Sequence, residues 1–167
     1  MMGAGKSRVG AELARRLGLR FVDTDSEIER ARGLRIREIF EREGEGSFRA
    51  LERDAIAGLS GQPCVVALGG GAIAEPGAAE RLAGTGTLVY LRARPESLLA
   101  RVGDAPGRPL LEGLAPGERL GRLRALLAER SPHYESATIA VDTDDLSVGE
   151  VAARVEERLR EREAAAR

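Results

Sequence analysis

The sequence predicts an α/β fold in three layers, a parallel sheet with helices packed on both faces. Three observations carry that expectation. Segments with apolar residues at three- and four-residue spacing alternate with short apolar runs along the whole chain. Two of the runs, Cys64-Val65-Val66-Ala67-Leu68 and Thr87-Leu88-Val89-Tyr90-Leu91, are continuous, as strands buried on both faces should be. The first helical segment opens on Gly3-Ala4-Gly5-Lys6-Ser7, a glycine-rich turn of the kind that holds phosphate at a helix N-terminus.

Taken in order, Ser7 to Leu17 places Val9, Leu13, Ala14 and Leu17 on one helical face, and Gly18 stops it. Arg20 to Val22 is a short strand ending at Asp23-Thr24-Asp25. Ser26 to Arg32 is a helix stopped by Gly33, and Arg35 to Glu43 is another stopped by Gly44. Ser47 to Leu59 carries the row Phe48, Leu51, Ala55 and Leu59. The strand at Cys64–Leu68 runs into Gly69-Gly70-Gly71. Pro76 to Leu82 is helical, Thr87 to Leu91 is a strand, and Pro95 to Val102 is a helix with proline in its first turn. Gly103 to Gly117, with three prolines and four glycines, predicts a surface loop long enough to be a lid. Glu118 to Glu129 is a helix and Thr138 to Val141 the last strand. Ser147 caps a final helix with Val148, Val151, Val155 and Leu159 inward, and the tail from Arg160 is expected to fray.

Composition narrows the function. At 167 residues the chain fits one domain with room for a core. Apolar residues make up 43% and charged residues 32%, which fits a soluble globular protein. Net charge is −1 with acids and bases interleaved, which argues against a nucleic-acid or polybasic membrane surface. A single cysteine excludes an internal disulfide, and no apolar run reaches transmembrane length. With no asparagine, the chain has no N-K-x-D guanine-reading motif.

Gly3 to Ser7 is the back half of the pattern G-x-x-x-x-G-K-[ST]. Its glycines let the backbone approach a phosphate, and the N–H groups and dipole of the following helix favour the anion. Lys6 can reach β- and γ-phosphates, and the Ser7 hydroxyl can sit on Mg²⁺. Lys6 is the only lysine among 26 basic residues, held where a compact ammonium fits and a planar guanidinium does not.

Six segments in order resemble shikimate kinase: Gly-Ala-Gly-Lys-Ser (3–7), Asp-Thr-Asp (23–25), Gly-Glu-x-x-Phe-Arg-x-x-Glu (44–52), Leu-Gly-Gly-Gly-Ala (68–72), Arg-Pro-Leu-Leu (108–111) and Arg-x-Pro-x-Tyr (130–134). The resemblance implies a P-loop kinase fold of the nucleoside monophosphate kinase type, sheet order 2-3-1-4-5, with strand 1 missing from this chain. It implies one domain over residues 1–167, with substrate-binding helices at about 26–60 and the lid at about 103–117. The implied reaction moves the γ-phosphate of ATP to the 3-hydroxyl of shikimate with Mg²⁺, in a cytoplasmic monomer with no nucleic-acid or membrane partner.

It also implies roles. Asp25 holds the acceptor hydroxyls and takes the proton, and Asp23 joins Ser7 at Mg²⁺. Arg49, oriented by Glu52, and Arg130 bind the shikimate carboxylate, while Gly69, Gly70 and Gly71 face its hydroxyls. Lys6 and the lid residue Arg108 act on the phosphates. Gly3, Ala4, Gly5, Ser7 and Arg8 complete the nucleotide loop, and Arg101 stacks on adenine.

Read from the residues alone, other meanings stay open. Asp-Thr-Asp fits a solvated turn with capping aspartates. Arg49 and Glu52 fit an exposed i,i+3 pair, the glycines a flexible strand exit, and Arg130 a charge at a helix C-terminus. His133 reads as a surface histidine and Cys64 as a small core residue. A gluconate-type or nucleotide kinase is a same-class alternative. An inactive truncated remnant or nucleotide-binding module is another, because the loop's first glycine and the strand feeding it would fall before Met1. The strands at Cys64–Leu68 and Thr87–Leu91 would then lie about 9–10 Å apart with nothing between them. On that ground the chain as given is expected to fold poorly or be inactive alone, with its start codon upstream. The second departure from the family is Asp144-Asp145-Leu146-Ser147, where many members place an arginine near the adenine.

Overall fold

Parallel strand pairs organise the fold, and the computed structural model describes residues 1–74, 77–103, 109–111 and 113–166. The elements are α1 (Lys6–Leu17), β1 (Arg20–Asp23), α2 (Thr24–Arg32), α3 (Ile36–Ala57), β2 (Cys64–Ala67), α4 (Ala78–Ala83), β3 (Val89–Arg92), α5 (Pro95–Val102), α6 (Pro116–Tyr134), β4 (Ile139–Asp142) and α7 (Val148–Ala165). Short 3₁₀ turns occupy Ala72–Ala74 and Pro109–Leu111.

Local chemistry sets most boundaries. Asp23 caps α2 by accepting from the Ser26 N–H at 3.2 Å. Ser147 and Glu150 form a reciprocal capping box at the start of α7. Gly44 sits at φ 81 and ψ 170 inside α3, so the two helices expected there are two limbs meeting at that residue.

β1 pairs with β2 from Arg20↔Cys64 to Asp23↔Ala67, and β3 pairs with β4 from Val89↔Ile139 to Arg92↔Asp142, both in parallel. Among the described residues these are two separate two-stranded sheets, and β2 does not pair with β3. A slot lies between them. One part, of about 150 Å³, is lined by Cys64, Val66, Leu68, Thr87 and Leu88. The other, of about 70 Å³, is lined by Met1, Leu68, Leu88 and Tyr90. The two strands expected to flank a missing partner are thus not paired with each other among the described residues.

Helix α1 packs on α7 and covers β1 and β2, α7 also covers β4, and α5 packs on α6. The main core joins Val9, Leu13, Leu98, Leu123, Val151 and Val155, all buried. Ile28, Ile39 and Phe48 form a second, separate cluster that holds α2 against α3.

Several expectations need correcting. Helix α7 runs to Ala165 and does not fray at Arg160. Leu159 packs on the core, and Glu156 pairs with Arg16 at 2.7 Å and with Arg160 one turn on. Helix α6 continues past Glu129 to Tyr134 despite Pro132. A proline there costs one hydrogen bond in a last turn that Tyr134 anchors by burial. Helix α2 begins at Thr24, so Asp25 lies in its first turn and not in a connecting loop. Of the expected lid, residues 104–108 and 112, Arg108 included, lie outside the described residues. Leu111 is buried in the main core, and 116–117 already belong to α6.

Candidate active site

The phosphate side is built by the turn into α1. Gly3 and Gly5 have φ of 73 and 84, which favour glycine. A Cβ on Gly3 would also sit 2.7 Å from the Leu98 carbonyl oxygen, so this turn lies tight against α5. No side chain caps α1, which leaves its first N–H groups to a ligand. Lys6 Nζ donates to the Met1 carbonyl at 2.8 Å, which folds the side chain over the turn.

Ser7 Oγ donates to Asp23 Oδ2 at 2.5 Å across 16 residues of sequence. The two side chains read as Mg²⁺ contacts are thus adjacent. A hydroxyl and a carboxylate are the hard oxygen donors that would suit Mg²⁺. Among the described residues there is no group of three or more His, Cys, Asp or Glu side chains that could hold a metal ion.

These residues line a cleft of about 760 Å³ with Arg8, Asp25, Arg101 and Thr143. Arg101 is fixed by Thr143, through Oγ1 at 2.8 Å and the carbonyl at 2.6 Å. Leu146, Ser147, Val148 and Gly149 form the wall beside it, so the segment that departs from the family pattern reaches the cleft through Leu146 and Ser147.

The second side gathers residues from four places in the sequence. Asp25 Oδ1 is buried beside Gly69, 3.0 Å from where a Cβ on that glycine would sit. The same Cβ would collide with the Glu52 carboxylate, and one on Gly71 would collide with the Arg49 guanidinium. The glycines are therefore needed so that charged groups can lie against the backbone. Arg49 donates to Glu52 at 2.7 Å and to Glu45 at 2.9 Å, and its guanidinium lies 5.2 Å from the Phe48 ring centre. Burial works against its charge, and the hydrogen bonds to Glu52 and Glu45 outweigh it, so its pKa is raised. Glu52 is only 2% exposed, which removes the reading of an exposed helix pair. Arg130 Nη1 donates to the Gly70 carbonyl at 3.1 Å.

Asp25, Arg49 and Arg130 are thus gathered against the Gly69–Gly71 loop, and Asp25 also lines the cleft that holds Lys6, Ser7 and Asp23. The family model described as shikimate kinase matches residues 2–160, which hold all of these positions. The chain belongs to the shikimate kinase family. A shikimate kinase from Thermus thermophilus is 45% identical over 160 residues, 95% of this chain and 85% of that one. Another, from Paramagnetospirillum magneticum, is 49% identical over 146 residues, 87% of this chain and 73% of that one. Among solved structures, shikimate kinase from Acinetobacter baumannii in complex with shikimate superposes with a TM-score of 0.89 at 38% identity, covering 96% of this chain and 89% of that one. The Bacteroides thetaiotaomicron enzyme gives 0.90 at 31% identity, covering 96% and 94%.

Within this shikimate kinase fold, two site residues had no role assigned from sequence. Thr24, fully buried, accepts from the Gly69 N–H and donates to the Ala67 carbonyl, both at 3.2 Å. Tyr134 donates to the Gly70 carbonyl at 2.7 Å. The signal for Tyr134 was its i,i+4 spacing from Arg130, which puts both on one helical face. Thr24 had only its place between two aspartates.

Proposed function

We propose that this shikimate kinase family member transfers the γ-phosphate of ATP to the 3-hydroxyl of shikimate, as a cytoplasmic monomer using Mg²⁺. Among the described residues no helix is long and apolar enough to cross a membrane. The observation that carries the reading is a cleft that joins the phosphate turn to Asp25, whose Oδ1 is buried beside a glycine loop that Arg49 and Arg130 also reach.

In this reading Arg49 and Arg130 hold the acceptor's carboxylate, and the Gly69–Gly71 backbone meets its ring hydroxyls. Asp25 accepts the 3-hydroxyl proton as that oxygen bonds the γ-phosphorus and the bond to ADP breaks. The transition state is loose, so the protein acts mainly by positioning and by charge. Lys6 supplies fixed positive charge from the turn and Arg108 from the lid, while the Gly3–Gly5 turn brings the phosphates to the N–H groups of the first residues of α1. Ser7 and Asp23 would hold Mg²⁺, which neutralises charge on the β- and γ-phosphates. Arg101, and Arg8 at the cleft edge, complete the nucleotide side.

The test is ADP release from ATP, which should require both shikimate and Mg²⁺. Equal turnover with gluconate or a nucleoside monophosphate would sink the proposal. Two substitutions separate the roles. Arg49→Ala should raise the KM for shikimate first, whereas Arg108→Ala should lower kcat by roughly 10²–10³-fold with shikimate binding little changed. A shikimate KM that rises alone in Arg108→Ala would mean the roles are exchanged. Ser7→Ala should raise the Mg²⁺ concentration needed for half-maximal rate by about tenfold or more. An unchanged Mg²⁺ titration would remove Ser7 from the metal.

A further inference from the structure

We infer that Thr24 and Tyr134 are positioning residues for the acceptor: Tyr134 aims the Gly71 amide, and Thr24 sets the peptides that lead into the glycine loop. The inference rests on the acceptor site proposed above.

The glycine loop carries no side chains, so its shape depends on what its backbone groups bond. The Ala67 carbonyl and the Gly69 N–H are both taken by the Thr24 hydroxyl. The Gly69 carbonyl accepts from the Ala72 N–H at 3.1 Å, and the Gly71 carbonyl from the Ala74 N–H at 3.0 Å. The Gly70 carbonyl accepts from Tyr134 at 2.7 Å and from Arg130 at 3.1 Å. In a trans peptide the carbonyl and the following N–H point in opposite directions. The Gly70 carbonyl, tied by Tyr134 and Arg130, therefore fixes where the Gly71 N–H points, while Thr24 fixes the peptides on either side of Leu68 from which the loop starts. Thr24 lies in the same helical turn as Asp25, so its hydroxyl also locks the loop to the element carrying the proton acceptor.

Tyr134 has a more particular task. Arg130 spends one N–H on the Gly70 carbonyl in this structure. When its guanidinium turns to an incoming carboxylate, Tyr134 keeps that carbonyl bonded, so the loop holds its shape as the acceptor arrives. Tyr134 is itself held rigidly, buried and stacked on Tyr90 with ring centres 5.1 Å apart.

Tyr134→Phe, Thr24→Val and Thr24→Ser in the full chain test this by calorimetric titration with shikimate and, separately, with ATP, beside a thermal melt. Tyr134→Phe should weaken shikimate binding about five- to tenfold, the scale of one lost hydrogen bond, with ATP affinity within about twofold of wild type. Thr24→Val should weaken it about tenfold or more, because a donor and an acceptor are left buried without a partner, and Thr24→Ser should restore it. Wild-type shikimate affinity in both Tyr134→Phe and Thr24→Val would overturn the inference. So would a parallel loss of shikimate affinity, ATP affinity and melting temperature, which marks a purely structural role. A wild-type chain that binds ATP but no shikimate would overturn the acceptor reading before any substitution is made, and this inference with it.

Discussion

Asp25→Asn is expected to lower kcat by roughly 10²–10⁴-fold, the range for a lost general base. Asparagine keeps the size and can still accept a hydrogen bond from an acceptor hydroxyl, but it cannot take the proton. The Asp25 carboxyl lies in the first turn of α2 with Oδ1 buried against the Gly69 loop, so water is poorly placed to substitute for it. A loose transition state needs little proton transfer early, which pulls the expectation toward the lower end of that range. Shikimate affinity should change far less, because Arg49 and Arg130 remain. Steady-state kinetics with both substrates varied would decide it. If Asp25→Asn kept kcat within about tenfold of wild type, the proton would have to leave by another route. If only the KM for shikimate rose, Asp25 would be a binding residue alone.

An apolar strand of five residues ending in glycine, joined ahead of Met1, is expected to stabilise the chain by several kcal/mol. The slot between β2 and β3 is lined by Val66 and Leu68 on one side and by Leu88 and Tyr90 on the other. The edges of β2 and β3 that face it have no strand to pair with among the described residues. A strand inserted there would pair with both. Each apolar side chain it buried would contribute about 1.5–3 kcal/mol. Ordering each residue would cost about 1–2 kcal/mol, which new backbone bonds of about 1 kcal/mol each partly offset. At about 2–4 °C per kcal/mol for a chain of this size, the melting temperature should rise on the order of 10 °C. ATP-dependent phosphorylation of shikimate should rise with it. Equal melting temperatures and equal rates for the two chains would show that the slot needs no strand.

The element order was legible because it rests on local signals. Gly18 and Gly33 end helices α1 and α2 with left-handed backbone, and Asp23 and Ser147 cap helices with their own side chains. The two misjudged helix ends, at Arg160 and Glu129, are places where distant partners outweigh local propensity. Arg16 reaches Glu156 from another helix, and Tyr134 is anchored by the glycine loop. The site residues were legible for another reason: their types are chemically particular at those spacings. A lysine spared among arginines, two aspartates at a strand exit and three glycines after a buried strand marked the candidate positions, though the aspartates and glycines each also had a plain structural reading.

The sequence by itself determined which residues bury, where the chain turns and which side chains carry chemistry, since periodicity, capping and glycine act over a few residues. Only the tertiary structure decided which of them meet. Ser7 and Asp23 touch across 16 residues, Thr24 and Gly69 across 45, and Tyr134 and Gly70 across 64. A hydrophobic period states that a face is covered and not what covers it, so these pairings arise only when helices and strands pack. The separation of Cys64–Leu68 from Thr87–Leu91 was expected from the resemblance, but which side chains line the slot between them is decided only when the chain folds.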